Sequence, residues 1–136
     1  MSIQLSERRD ISQSLIIDLY RAHAWSAADK PDALYQGLMH SHSLITAWED
    51  DDLVGLGNAI SDGHLVVYYP HLLVHPEHQG KGIGRMIMKR MAEKYRNFHM
   101  QMLTADGKAI AFYQKCGFVH AGNTQPMWIY QGKEHE

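Results

Sequence analysis

The segment best suited to bind a ligand is Gln-Gly-Lys-Gly-Ile-Gly at residues 79–84, followed by Arg85. It lies between a Val- and Leu-rich run ending at Val74 and an amphipathic pattern that predicts a helix, so the glycines stand at the helix N-terminus. The first N–H groups of a helix lack internal partners and carry partial positive charge, which suits a phosphate if no side chain blocks its approach. Lys81 and Arg85 add positive charge, and Gln79 adds a neutral donor. The segment predicts a phosphate-binding loop.

Other phosphate-binding loops fit this segment less well. The dinucleotide fingerprint needs G-x-G-x-x-G in a first strand-helix unit, whereas the spacing here is G-x-G-x-G beyond the middle of the chain. The nucleotide P-loop needs Ser or Thr after Gly-Lys, and the pairs at residues 80–81, 107–108 and 132–133 all lack it. The remaining alternative is a tight strand-to-helix turn without a ligand.

Two motifs resemble those of the GNAT superfamily of acetyltransferases, in particular its small single-domain bacterial-type members. The family's loop for the coenzyme A pyrophosphate, Q/R-x-x-G-x-G/A, is matched by Gln79, Gly82 and Gly84. Residues 73–77 look like the end of the family's strand that leads into this loop. The second motif, A-x-x-F-Y-x-x-x-G-F, is matched by Ala109, Phe112, Tyr113, Gly117 and Phe118. Together the motifs cover residues 72–118. The chain departs from the pattern at Asp106, where many relatives carry an Asn that contacts the cofactor.

The resemblance implies a mixed α/β GNAT fold: a mostly antiparallel mixed sheet of six to seven strands, splayed at the fourth strand, with about four helices. It implies an acetyl-CoA-dependent N-acetyltransferase that moves acetyl directly to a primary amine in a ternary complex. Similarity to small bacterial and plastid members suggests an arylalkylamine acceptor, and a polyamine stays open. The implied cofactor-binding residues are Leu73, Val74, Gln79, Gly80, Lys81, Gly82, Ile83, Gly84, Arg85 and Tyr113.

Acetyl transfer from a thioester needs a neutral amine, a donor for the developing oxyanion and an acid for the departing thiolate. Pro70 interrupts the apolar run at residues 65–74, so we expect the strand to splay there and predict the backbone N–H of Leu73 as the oxyanion donor. The resemblance places Tyr113 as the acid, and its reference pKa near ~10 keeps it protonated. The alternative for Tyr113 is an ordinary aromatic side chain of the core.

No general base stands out among the ten histidines. His71 is the candidate, since it lies on the long strand nearest the expected thioester, and a merely hydrogen-bonded histidine is the alternative. His71, His75 and His78 lack the spacing of a metal site, and no metal is predicted. Cys116 is the only cysteine, which excludes an internal disulfide, and no His or Asx arrangement marks it as a nucleophile.

The amine is expected to enter where the second helix faces the splayed strand. The predicted substrate-binding residues there are Tyr35, His40, Tyr68 and Trp128. The acidic run at residues 49–52 has two interpretations, attraction of a cationic amine or a solvated hairpin turn. A coenzyme A-binding sensor without activity and a nucleotide-binding regulator are the rival functions.

The elements that must position these residues follow from periodicity and turn chemistry. Predicted helices cover residues 11–24, with Asp10 as the cap, residues from Pro31 to about 39, a long amphipathic stretch beginning near Ile83, and residues 108–115. Predicted strands cover residues 3–5, 44–48, 53–60, 65–74, 100–104, 118–121 and 127–131, with a hairpin signal at Asp62-Gly63.

Composition limits the classes of function. The 136 residues are 45% hydrophobic and carry a formal net charge of -2, which predicts one domain over residues 1–136 and argues against nucleic acid as a partner. The charged N-terminus does not resemble a signal peptide and no apolar run is long enough for a bilayer, so no membrane partner and a cytoplasmic location are expected. The last strand, residues 127–131, offers a route to a homodimer, although no self-complementary patch can be recognised.

Overall fold

The computed structural model describes residues 2–135. Its elements are β1 (Gln4–Ser6), α1 (Gln13–Ala22), α2 (Pro31–Met39), β2 (Ser43–Glu49), β3 (Asp52–Ser61), β4 (Val66–Tyr68), β5 (Leu72–Val74), α3 (Ile83–Tyr95), β6 (Met100–Met102) and α4 (Ala109–Lys115). Two short 3-10 helices, Ser26–Asp29 and Pro76–His78, precede α2 and follow β5.

The sheet is built around β3, its longest strand. The strand order is β1-β2-β3-β4-β6, and β5 pairs with β3 beside β4. Every pairing is antiparallel except the parallel pairing of β4 with β6. The structure confirms the predicted mixed, mostly antiparallel sheet, with six strands and four α-helices within residues 2–135.

The sheet splays between β4 and β5, as the proline predicted. β4 pairs with both β3 and β6, whereas β5 pairs only with β3 among the described residues. Pro70 lies between them and cannot donate to a ladder. The next N–H, that of His71, donates to the side-chain Oδ1 of Asn58 at 3.1 Å. The second edge of β5 is therefore open, and Asn58 stabilises the interruption that opens it.

Side chains alternate between two cores, one on each face of the sheet. Leu44, Leu56 and Leu73 pack with α1 and α2 on one face. The other face packs on α3, and Gly57 allows α3 to approach closely, because a Cβ there would lie 2.8 Å from Cγ2 of Ile87. The two helical layers leave the open edge of β5 between them.

The first helix is shorter than the predicted 11–24. It covers Gln13–Ala22, and the residue before it is Ser12 rather than Asp10, without a side-chain capping hydrogen bond. Ala24 ends the helical path because its φ of 54° is left-handed. Strand β6 is also shorter than the predicted 100–104. Across residues 2–135, no helix combines the length and apolar character that crossing a bilayer requires.

The hairpin at Asp62-Gly63 forms, with a loop over residues 62–65 rather than a two-residue turn. Asp62 Oδ1 accepts the backbone N–H groups of His64, Leu65 and Val66. These hydrogen bonds hold the pKa of Asp62 at about 2. The aspartate therefore organises the wider loop itself.

The predicted strands at 118–121 and 127–131 are wrong, since the structure assigns no strand between β6 and residue 135. Val119, Met127 and Ile129 are 86%, 93% and 98% exposed, so the alternating apolar pattern meets no sheet edge to bury it. The segment is instead held near its end, where the Ser26 N–H donates to Glu134 at 2.7 Å. Strand propensity alone did not create a strand.

Candidate active site

The glycine loop joins β5 to α3, as predicted, and its backbone is open to a ligand. Gly80 and Gly82 have φ values of 83° and 82°, and a Cβ built at either would meet nothing within 4 Å. Gly82 is the N-cap of α3, whose first internal bond runs from Met86 N–H to Gly82 O at 3.0 Å. The N–H groups of residues 83–85 precede that bond and have no helical acceptor. Three amides without helical acceptors therefore follow directly after two glycines whose Cβ positions are open.

The start of the loop is tied to the open edge of β5. Gln79 Nε2 donates to Val74 O at 3.3 Å, and His23 Nε2 contacts the same oxygen at 2.6 Å. Lys81 and Arg85 are exposed beside the glycines. Positive charge and backbone donors thus lie on one side of the loop, an arrangement suited to a pyrophosphate.

The register of β5 changes the predicted oxyanion donor. In an antiparallel ladder, directly hydrogen-bonded pairs recur at every second residue. The Asn58 N–H donates to His71 O and the His75 N–H donates to Val54 O. The pair midway between them, Leu56 and Leu73, is therefore also hydrogen-bonded. The N–H of Leu73 therefore faces β3, contrary to the prediction. The alternate residues of β5, Leu72 and Val74, direct their N–H groups to the open edge.

Tyr113 lies on α4 beside the glycine loop. Its neighbour Phe112 places Cζ 3.4 Å from the Cβ position of Gly84, which fixes α4 against the start of α3. Burial, with a smaller contribution from Cys116, raises the pKa of Tyr113 to about 12. Its hydroxyl is therefore protonated at neutral pH, the form that an acid requires. Burial also raises the pKa of the Cys116 thiol, partly offset by Arg85, which makes it a poor nucleophile.

His71 is held by a residue that sequence reasoning missed. Its Nδ1 lies 2.8 Å from the hydroxyl of Tyr20, a buried side chain of α1. Burial raises the pKa of Tyr20 and lowers the pKa of His71, so both groups are neutral near pH 7. The hydrogen bond runs from the Tyr20 hydroxyl to Nδ1 in the tautomer protonated on Nε2, and from Nδ1–H to the Tyr20 oxygen in the other tautomer. In the first tautomer neither ring nitrogen has a free lone pair, and in the second Nε2 keeps the lone pair that a general base needs.

An apolar groove of about 320 Å³ lies next to His71. It runs between the α2 side of the molecule and the chain between β3 and β5. Its lining consists of Ala27, Lys30, Ala33, Leu34, Gly37, Leu38, Asn58, Ile60, Pro70 and His71. One of the lining residues, His71, directly precedes Leu72.

A larger cavity of about 700 Å³ lies between the 3-10 helix Ser26–Asp29 and the C-terminal segment. None of its lining residues belongs to β5 or to the glycine loop. The smaller groove is lined by His71, the residue directly before β5, and is therefore the one nearer to that strand in the chain.

The four predicted substrate-binding residues do not meet around this groove. Tyr35 donates its hydroxyl to Ile11 O at 2.6 Å, and His40 Nδ1 contacts Gln36 O within α2 at 2.8 Å. Trp128 stacks on Tyr130 in the C-terminal segment, with ring centroids 4.4 Å apart. Tyr68 is an exposed residue of β4. Their roles toward substrate remain predictions.

Two acidic features lie away from the groove. The run at residues 49–52 forms the β2–β3 turn, and Glu49 approaches His78 Nε2 at 3.6 Å, beside the glycine loop. Asp106, the departure from the family pattern, contacts His135 Nδ1 at 2.7 Å. Neither feature places a carboxylate where an amine would enter the groove.

Two groove residues, Lys30 and Gly37, and Tyr20, which contacts the groove residue His71, carried little or no sequence signal. In the sequence, Tyr20 fits an apolar position of a helix and Lys30 fits a solvated surface charge. Gly37 reads as an unfavourable residue within a helix. Asn58 gave the only usable signal, an amide inside an apolar strand, because a buried polar side chain needs a partner. Its partners are the His71 N–H and, at 3.0 Å from Nδ2, the Ser41 hydroxyl.

Fold and site define the class to which the chain belongs. The model of the acetyltransferase (GNAT) family matches residues 11–118, so the chain belongs to this family. A GNAT-family acetyltransferase of Streptococcus pneumoniae superposes with a TM-score of 0.82 at 27% identity, covering 96% of this chain and 100% of that structure.

Relatives at the sequence level match a smaller part of the chain. An uncharacterized N-acetyltransferase, ycf52, of Porphyra purpurea is 31% identical over 88 residues, 60% of this chain. The chain spans 51% of the length of that protein. The spermidine N(1)-acetyltransferase of Vibrio cholerae is 22% identical over 133 residues, 87% of this chain and 74% of that protein.

Proposed function

We propose that this chain is an acetyl-CoA-dependent N-acetyltransferase that moves acetyl directly to a small primary amine. The observation that carries the proposal is the position of β5. Its open edge leads from the apolar groove at His71 to the glycine loop at residues 79–84, with Leu72 and Val74 directing N–H groups to that edge. Three residues span roughly 10 Å, so the groove and the loop can be occupied together.

The glycine loop fits the pyrophosphate of coenzyme A. The amides of residues 83–85 would hold the phosphate oxygens, and the absence of side chains at Gly80 and Gly82 leaves them room. Lys81 and Arg85 would balance the negative charge. When bound there, acetyl-CoA supplies the acetyl group as an activated thioester.

The open edge of β5 would orient the pantetheine arm and the acetyl group. Val74 is nearer the loop and its N–H suits an amide of the arm, whereas Leu72 lies at the groove end and its N–H suits the thioester carbonyl. A backbone donor fixed in this way stabilises the negative charge that develops on that oxygen. We propose Leu72, in place of Leu73, as the oxyanion donor.

Tyr113 would supply the proton for the leaving thiolate. Its pKa of about 12 exceeds the reference value of a thiol, near ~8.5, but the same burial that raises the pKa of the phenol also raises that of a thiolate beside it. The proton would pass from the Tyr113 oxygen to the thiolate sulfur, and water would restore it to Tyr113 after release. The amine enters in its neutral form and gives up its proton to water.

Two measurements test the proposal. Acetyl-CoA at concentrations well above micromolar should raise the melting temperature, whereas ATP should not. Initial rates with a range of amines should give intersecting double-reciprocal plots, as direct transfer requires, and parallel plots would instead indicate an acyl-enzyme. A thermal shift without acetylation of any amine would favour a coenzyme A-binding sensor. Without a thermal shift, the cofactor assignment fails.

A further inference from the structure

We infer that the groove beside His71 is the acceptor site, that Gly37 gives it its width, and that it selects an amine with an uncharged, apolar body over a polyamine. This inference rests on the proposed acetyltransferase function. Each of its parts follows from a different property of the groove: its position, its charge and its one helical glycine.

The position of the groove brings an acceptor to the reacting carbonyl. One wall is formed by α2 and the residues before it, including Leu34 and Leu38. The opposite wall contains Ile60, Pro70 and His71. Because His71 directly precedes Leu72, a nitrogen at this end of the groove would lie next to the N–H proposed to hold the thioester oxygen. The rest of the amine would lie along the apolar walls.

The charge of the groove disfavours a polycation. Lys30 is the one charged residue among the described lining residues, and the lining holds no Asp or Glu. A polyamine acetylated at one end keeps other ammonium groups, since alkylamines have pKa values near ~10. Those ammonium groups would be desolvated against apolar walls without a carboxylate, and Lys30 would repel them. An amine with one nitrogen and a hydrocarbon body avoids both costs.

Gly37 has no structural reason to be glycine. It lies within α2, where alanine is the better helix former, and its backbone is not left-handed. A Cβ built at Gly37 would meet nothing within 4 Å, so no neighbour requires its absence. Gly37 is exposed and lines the groove, so the absent side chain leaves the mouth of the groove open. We assign it as a residue that sets acceptor size.

The experiment compares acceptors at saturating acetyl-CoA by following release of coenzyme A. The full chain should use 2-phenylethylamine with a kcat/KM at least tenfold above that for spermidine. Gly37→Leu should lower kcat/KM for 2-phenylethylamine about tenfold or more and leave the KM for acetyl-CoA unchanged. Gln36→Ala is the matched control, because Gln36 is the neighbouring residue of α2 but lies outside the groove lining. Lys30→Glu should raise kcat/KM for spermidine.

Gly37→Ala is a second variant with a smaller side chain, which keeps the test valid if Gly37→Leu fails to fold. It should raise the melting temperature by roughly 2–4 °C, as alanine in a helix does, and still lower kcat/KM for 2-phenylethylamine. A preference for spermidine, or equal effects of Gly37→Leu and Gln36→Ala, would overturn the inference while leaving acetyl transfer intact. A complete absence of turnover and of a thermal shift with acetyl-CoA would remove the proposed function, and the inference with it.

Discussion

The hydroxyl of Tyr20 lies 2.8 Å from Nδ1 of His71, which joins the first helix to the residue where the sheet opens. Trp25 packs edge-on against both rings, with centroids 5.8 Å from Tyr20 and 5.5 Å from His71. A neutral phenol and a neutral imidazole therefore share a buried aromatic cluster between α1 and β5. Protonation of His71 would place a cation there without a carboxylate partner among residues 2–135.

This contact predicts a pH-dependent stability. Burial lowers the pKa of His71 below the ~6.5 of an unfolded histidine, so between the two values the unfolded chain binds more protons. The free energy of unfolding should be fully retained above about pH 6.5 and decline as the pH falls toward the folded pKa. Urea unfolding between pH 5 and 8 should show a weaker decline for His71→Asn, whose Oδ1 can accept from Tyr20. Equal declines in both proteins would contradict a depressed pKa.

The direction of the same hydrogen bond determines the pH dependence of the reaction. If His71 does not take the amine's proton, kcat/KM should keep rising with pH toward the pKa of the amine itself, because the neutral amine is the reactive form. Profiles for two amines of different pKa should then shift in parallel with those values. A break below pH 6.5 that is common to both amines and lost in His71→Asn would instead identify His71 as the base.

Tyr113→Phe should separate proton donation from binding. Phenylalanine keeps the ring that packs on Phe118, with centroids 5.9 Å apart, and removes only the proton donor. We expect kcat to fall about 100-fold, within the usual range for a general acid, with the acetyl-CoA thermal shift retained. Phe112→Leu serves as a packing control on the same helix. If kcat is unchanged in Tyr113→Phe, Tyr113 is not the acid.

Sequence reasoning succeeded where a local pattern fixes local geometry. The glycines after β5, the stop at Gly117 with its φ of 100°, and the break at Pro70 are each encoded by backbone restrictions of one or two residues. The amphipathic pattern of α3 was recognisable for the same reason, since its buried residues repeat at helical spacing. These features were enough to predict the loop, the helix and the splay.

Sequence reasoning failed where geometry depends on distant partners. Whether Leu72 or Leu73 faces the open edge is decided by the register with β3, and a shift of one residue reverses it. The groove depends on contacts such as that of Tyr20 with His71, which are 51 residues apart in the chain. The last strands were predicted from alternation alone, although a strand also needs an edge to pair with.

The glycine loop allows a direct test of cofactor binding. Gly82→Ala places a Cβ in the cradle at a left-handed backbone, which costs about 1–2 kcal/mol in conformational strain. Gly122→Ala imposes similar strain, at a φ of 61° and with nothing within 4 Å, in the exposed C-terminal segment. Isothermal titration should show weaker acetyl-CoA binding in Gly82→Ala only. Similar losses in the two variants would mean that strain, rather than the cradle, explains the effect.

Gly57→Ala and Gly37→Ala should change stability in opposite directions, although the substitution is the same. At Gly57 the new Cβ would lie 2.8 Å from Cγ2 of Ile87, a fully buried residue of α3, and 3.3 Å from Cδ1 of Leu72. Overpacking of this kind costs about 1–3 kcal/mol, whereas alanine at Gly37 gains up to about 1 kcal/mol of helix stability. Urea unfolding measures both changes. Because Leu72 is the proposed oxyanion donor, Gly57→Ala should also lower kcat more than it lowers the affinity for acetyl-CoA. If Gly57→Ala were stable and fully active, β5 and α3 would tolerate separation without disturbing the site.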